Sequence, residues 1–343
     1  MEKKIKIFLN SGQHSTGRGV GYYAEFLGEA LSKLPQIELT DKNPDIVHYP
    51  FFDLFYSTLP FYKKIPTVIT IHDLTPLVMT DRYPKGVKGS ISLLRQYLSL
   101  KGAKAIITDS QNSKDDIVRL FHFTENKVFI TPLAVDPTYS KPVSPSDLKK
   151  IRTLYKLPDR FVLCVSAGPN PNKNLPALAK VTEKLNVPLV LVGKGLLQEI
   201  KEPVHPELKD LSEIKKFNHI IYAGFVPTED LNGIYKLATV YCQPSLYEGF
   251  GLPLLEAMTA GCLIVSSNTS SLPEIYHHET LNFDPTSLDE FERVLEKALS
   301  LQSKEKDLQI KAGLERSHDF TWEKTAAMTL SIYQKIYDDK RDH

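Results

Sequence analysis

Two glutamates, Glu248 and Glu256, stand eight positions apart in PSLYEGFGLPLLEAMTAG (244–261), and that stretch carries no other charge. The preceding TVYCQPS (239–245) reads as a strand. LPLLEAMTAG reads as a helix, with Pro253 near its first position and Gly261 at its C-terminal cap. The turn YEGFG then lies at a strand's C-terminal end and feeds a helix N-terminus. Backbone N–H groups of Phe250, Gly251 and Leu252 there favour an anion, and Gly249 and Gly251 let a ligand approach the backbone closely. Carboxylates beside a phosphate would repel it, so Glu248 and Glu256 are suited instead to accepting hydrogen bonds from neutral hydroxyls. A ligand with a phosphate flanked by hydroxyl groups is a nucleotide sugar. The alternative is that Glu248 is a solvated turn residue and Glu256 an exposed helical one.

Short β-branched runs alternate with helical patterns along the chain, which predicts parallel α/β architecture. Strands are expected at 4–10, 45–51, 67–73, 105–110 and 128–132, and helices at 20–34, 87–102 and 111–121. KPVSPSDLKK (141–150) reads as a linker into a helix ending near Leu157. Beyond it, strands are expected at 161–168, 187–193, 219–225, 239–245 and 262–268, and helices at 175–186, 229–237, 253–260 and 288–300. In the tail, FTWEKTAAMTLSIYQKIYDD (320–339), Thr321 is a candidate N-cap and Glu323 suits the first turn. At 343 residues two domains are expected: 1–143, 144–320, and a final helix, 321–343, packing back on the first. Two doubly wound sheets would hold their ligand in the cleft between them, at the C-terminal ends of the strands.

Composition narrows the remaining classes. A net charge of +1 gives no global attraction for nucleic acid or acidic membranes. Cys164, Cys242 and Cys262 sit in apolar runs without CxxC spacing, as buried reduced thiols would. MEKKIKIFLN reads as a first strand rather than a signal peptide, and no run reaches the roughly 20 apolar residues of a membrane span. The expected location is the cytoplasm, with association at the inner face of the membrane left open. HYPFFDLFYSTLPFYKK (48–64) has two readings, a packed loop after a strand or an acceptor or membrane-surface patch. Lys88, Arg95, Lys101 and Lys104 of the next helical segment form either a solvated face or part of that surface.

The block EGFGLPLLEAMTAGCLIVSSNTSSLPEI (248–275) resembles the E-x7-E signature of the retaining nucleotide-sugar glycosyltransferases of family 4. The resemblance extends over the chain through TIHDLTPL (70–77), TDSQNSKDDI (108–117), GPNPNKNL (168–175) and YAGFVPTEDLNGIYKLA (222–238). It implies an α/β GT-B fold, with two Rossmann-like domains facing a central cleft, the first on the acceptor side and the second binding the donor. It further implies that Glu248 holds the donor sugar and supports charge near the reacting carbon, while Glu256 holds the ribose. The amides of Phe250, Gly251 and Leu252 would contact sugar and diphosphate, and Lys173 would neutralise the diphosphate. His72 would sit near the sugar, and the RGVGYY loop would bring Gly19 and Gly21 to diphosphate or acceptor. The arginine that many members carry shortly before the lysine is absent from SAGPNPNK (166–173), which leaves Arg18 or Lys194 to supply a second cation.

There is no DxD triplet, so neither a metal nor another cofactor is expected. The leaving diphosphate would rely on Lys173, helix dipoles and amides. The implied reaction moves a hexose, with GDP-mannose or a UDP-hexose as leading donors, to a glycan or lipid-linked glycan hydroxyl with retention. The base, the sugar and the acceptor stay open. Three rivals are a dehydrogenase, a sugar-nucleotide epimerase and a non-catalytic binding subunit. GVGYYA (19–24) fits a dinucleotide fingerprint, but eight residues separate it from Asn10, where the fingerprint should follow its strand at once.

Overall fold

The computed structural model describes residues 4–11, 20–199, 208–276 and 280–341. They fold as two compact units, Met1–Ala134 with Phe320–His343, and Val135–Asp319.

The first unit is built on six parallel strands: β1 (Ile5–Leu9), β2 (Ile37–Leu39), β3 (Ile46–Tyr49), β4 (Thr67–Thr70), β5 (Ala105–Thr108) and β6 (Val128–Ile130). Their order is β2-β1-β3-β4-β5-β6. Every residue of TVIT in β4 and AIIT in β5 is buried, as expected of parallel strands covered on both faces. The tail helix Trp322–Arg341 is part of this unit. Thr321 caps it, its Oγ1 accepting from Lys324 N at 3.2 Å. Trp322 stacks on Phe26 with ring centroids 5.5 Å apart, and Thr325 Oγ1 donates to Pro132 O at 2.6 Å.

The second unit repeats the plan with β7 (Val162–Val165), β8 (Leu189–Val192), β9 (Ile220–Gly224), β10 (Val240–Gln243), β11 (Ile264–Ser267) and β12 (Leu281–Phe283). The order β12-β11-β10-β7-β8-β9 puts β7 beside β10. From that pair the chain winds outwards in two directions. Such a reversal leaves a crevice above the strands' C-terminal ends. Val162, Cys164, Leu189, Leu191, Val240, Cys242 and Val265 centre the core of this unit. All three cysteines are buried and free, and burial pushes the thiols of Cys164 and Cys262 up to about 12.

Three departures from the sequence reading have local causes. Residues 141–150 are folded chain of the second unit. Ser144 caps helix Pro145–Leu154, while the preceding turn is held by Asn232 Nδ2, which donates to Thr138 O and Lys141 O at 2.8 and 3.0 Å. The edge strands β2 and β12 have three residues each, too few to show an alternation. Helix Ser303–Ser317 is mostly polar and packs where Gly313 approaches Met258 of helix Leu252–Thr259. Among the described residues no helix is long and apolar enough to cross a membrane.

Candidate functional site

In the second unit Lys173 and Glu248 follow β7 and β10, the two strands at the reversal of strand order. Pro171–Lys173 forms one 3-10 turn, and Asn174 at φ 52° redirects the chain into helix Leu175–Lys184. Asn172 ties this turn to the other loop. Its Nδ2 donates to Tyr247 O at 2.9 Å, and its carbonyl accepts from Leu246 N at 2.7 Å. The outcome is an ion pair. Lys173 Nζ lies 2.7 and 2.8 Å from the two carboxylate oxygens of Glu248.

Glu248 is only 7% exposed, so an ionised carboxylate there needs several partners. It has them: Gln243 Nε2 donates to Oε1 at 2.7 Å and Ser245 Oγ at 2.6 Å. The Gln243 amide is itself oriented by Tyr241, whose hydroxyl donates to Oε1. Backbone contacts fix the turn, with Glu248 N donating to Ser270 Oγ at 2.9 Å. Ser271 Oγ donates to the carbonyls of Glu248 and Phe250 at 2.9 and 2.7 Å. Sequence reasoning assigned no role to Gln243, Tyr241, Ser270 or Ser271. Only Gln243 carried a signal, as a polar residue ending an otherwise apolar strand.

Phe250 is buried, and Gly251 at φ 116° precedes helix Leu252–Thr259. The conformation demands glycine, and a β-carbon there would also have to displace the Leu272 side chain, whose Cδ2 it would approach to 2.6 Å. Leu252 and Gly251 thus stand at a helix start, as their spacing predicts. Glu256, one turn further on, is half-buried and accepts from Tyr235 OH at 2.9 Å. Tyr235 meets Tyr241 edge-on at 5.5 Å, so the shells of the two glutamates share an aromatic wall. Lys194, after β8, is exposed. Its loop lies against the one leading to Lys173, Gly195 N donating to Ala167 O at 2.9 Å. Arg18 lies outside the described residues.

In the first unit His72 and Asp109 follow the adjacent strands β4 and β5. Nδ1 of His72 lies 2.7 Å from Asp109 Oδ2, and Nε2 lies 3.2 Å from Pro50 O. Both ring nitrogens face acceptors, an arrangement that only a protonated imidazole satisfies. Burial opposes that charge, but Asp109 outweighs it, with further help from Asp73 and the Pro50 carbonyl, and His72 is held above its ordinary pKa. Asp73 Oδ1 accepts from Thr75 N at 2.8 Å and so closes the turn after His72. Gly21 corrects the loop reading of 18–23: it is in the first turn of helix Val20–Ser32. Gly19 lies outside the described residues.

His48, which sequence reasoning passed over, is fully buried in β3 between Tyr333 OH at 2.6 Å and Thr70 Oγ1 at 2.8 Å. Burial, with His72 nearby, pushes its pKa down to about 3. Two neighbouring histidines are thus tuned in opposite directions.

Two Rossmann-like units with all-parallel six-stranded sheets, and a charged site at the strand reversal of the second, define the α/β two-domain fold called GT-B. The chain belongs to the glycosyltransferases of family 4. The family described as Glycosyltransferase Family 4 matches residues 14–139, and Glycosyl transferases group 1 matches 149–315. The O-antigen chain mannosyltransferase B of Escherichia coli is 30% identical over 296 residues, covering 83% of this chain and 75% of that protein. A serotype-specific mannosyltransferase, WbdA, of the same species is 28% identical over 329 residues, covering 92% of this chain. The chain spans about 40% of that relative's length. Among solved structures, sucrose-phosphate synthase from Thermosynechococcus elongatus matches with a TM-score of 0.73 at 15% identity, covering 98% of this chain and 100% of that one. HepE from Anabaena, in complex with UDP-glucose, matches with 0.68 at 16% identity, covering 98% and 99%. At such identities the likeness concerns the fold.

Proposed function

We propose that the chain is a retaining hexosyltransferase that moves a sugar, with mannose as the leading candidate, from a nucleotide diphosphate to a hydroxyl of a glycan or lipid-linked glycan. The observation that carries this reading is the Lys173–Glu248 pair at the β7/β10 reversal, eight residues before Glu256. A carboxylate with four hydrogen-bonding contacts cannot turn away, so it presents a fixed negative charge to positive charge developing at an anomeric carbon. Lys173 is the mobile partner, able to share its ammonium between Glu248 and the departing diphosphate. The Phe250–Leu252 turn would take phosphate or sugar oxygens, Glu256 the ribose hydroxyls, and Lys194 the place of the absent arginine.

His72 would donate to the sugar or acceptor from the first unit, with Gly19 and Gly21 near diphosphate or acceptor. No metal is assigned a step, so the expected chemistry persists in excess EDTA. The two mannosyltransferase relatives support mannose, and with it GDP-mannose, in the synthesis of a surface polysaccharide. A lipid-linked acceptor would make this a peripheral enzyme of the cytoplasmic membrane face. The test is a panel of GDP-, UDP-, ADP- and dTDP-sugars assayed for hydrolysis and transfer with anomeric analysis of the product. An inverted product, or the donor merely epimerised, would overturn the proposal.

A further inference from the structure

Helix Gly86–Leu100 has two apolar faces, and the first unit uses only one of them. Leu93, Tyr97 and Leu100 pack on the core with Ile117 and Phe121. On the opposite side Val87, Ile91, Leu94 and Leu98 are 79, 57, 58 and 39% exposed. At about 100° per residue these four fall within about 60° of one another, a continuous outward stripe. The loop before β4 extends it. Ser92 Oγ donates to Phe55 O and Lys63 Nζ to Ser99 O, which fixes the loop along the helix. Beside those anchors Tyr56, Phe61 and Tyr62 are 76, 55 and 77% exposed.

Charge separates the partners this surface could take. From Arg82 to Thr108 the chain has six cations and no Asp or Glu, and from Leu54 to His72 it has Lys63, Lys64 and again no acid. That bias is set in a protein of net charge +1. Lys88 and Arg95 flank the stripe on the helix itself. At its C-terminal end a cavity of about 350 Å³ is lined by Lys101, Lys104, Lys127 and His122 with aromatic walls including Tyr97, and no acidic side chain lines it. A second copy of the chain meeting this surface would set cationic segments without acids against one another, which is unfavourable. An apolar stripe with aromatic rings, on segments whose own charges are all cationic, fits a bilayer with an anionic headgroup layer.

We propose that helix Gly86–Leu100 and the loop 54–63 dock on an anionic lipid bilayer, the stripe entering the headgroup layer and the Lys101–Lys104–Lys127 cavity receiving a lipid phosphate. The surface does not depend on the donor chemistry, and donor hydrolysis without vesicles serves as the separate check on that reading. The experiment is co-sedimentation of the full chain with vesicles of phosphatidylcholine, with and without phosphatidylglycerol. Binding is expected only with the anionic lipid, falling as salt is raised. The double substitution Ile91→Ser with Leu94→Ser, and separately Lys101→Gln with Lys127→Gln, should each weaken binding by about tenfold or more. Both should leave the melting temperature unchanged, since all four side chains are exposed. Lys150→Gln, on the second unit, should bind as the parent does. Absence of binding to anionic vesicles at low salt overturns the proposal, as does equal binding by parent and variants. Self-association in gel filtration that Ile91→Ser with Leu94→Ser abolishes, without vesicle binding, would instead assign the surface to a second copy.

Discussion

At the scale of single residues the two glutamates differ in what holds them, and that difference separates their expected roles. Glu248 is enclosed by Lys173, Gln243 and Ser245, whereas Glu256 is half-buried with Tyr235 behind it. If Glu256 grips the ribose, Glu256→Ala should weaken a nucleoside diphosphate by about 1.5–3 kcal/mol, roughly tenfold to a hundredfold or more. Glu248→Gln keeps the shape and removes the charge. It should leave diphosphate affinity nearly unchanged and lower turnover, because a fixed charge counts most in the transition state. Calorimetry with the nucleoside diphosphate, paired with turnover rates, checks both halves; the reverse pattern would exchange the roles. Glu248 and Glu256 stood out by residue type and spacing, and Lys173 only through the family resemblance. Gln243 and Tyr241, two positions apart on β10, were not legible, because their bonds depend on how the following loop folds Glu248 back onto that strand.

Among the elements, the strands facing the core were the easiest to read, since a run such as LVLV in β8 has one favourable environment. What the pattern could not show is how closely the loops beyond those strands approach. Gly193 illustrates it. A β-carbon there would lie 1.7 Å from Ser166 O and 2.8 Å from Ser166 C, and backbone cannot move aside as a flexible side chain can. Gly193→Ala should therefore push the Lys194 loop off the loop that leads to Lys173. The expected cost is about 2 kcal/mol or more of stability, together with weakened diphosphate binding. Gly168→Ala is the control, because its nearest neighbour would be Asn170 Oδ1 at 3.8 Å, an ordinary contact. Thermal unfolding of the two variants decides the matter; equal melting temperatures would mean that the loops can separate freely.

For the whole molecule the sequence conveyed two α/β units and a helical tail, but not the side chains that fasten that tail to its sheet. The fastening is His48, hydrogen-bonded to Tyr333 of the tail helix and to Thr70, with Tyr23 3.1 Å from Thr70 and His72 close enough to disfavour a second positive charge. Its pKa is near 6.5 unfolded and about 3 folded. Above about pH 6.5 both states are neutral and the stability is complete. Between that value and about pH 3 only the unfolded chain takes the proton, so each pH unit removes about 1.4 kcal/mol. His72, whose pKa is raised, contributes in the opposite sense, with stability present in acid and lost as pH rises through its folded pKa. Acid unfolding of the first unit should therefore begin below about pH 6.5. The single tryptophan reports it selectively, because Trp322 lies on the tail helix against Phe26. His48→Gln supplies a side chain that stays neutral, so the variant should be less stable at neutral pH yet lose stability more gradually in acid. Chemical denaturation at a series of pH values, followed by Trp322 fluorescence, measures that slope. An unchanged slope would mean that the acid sensitivity of the unit lies elsewhere than in the His48–Tyr333 contact.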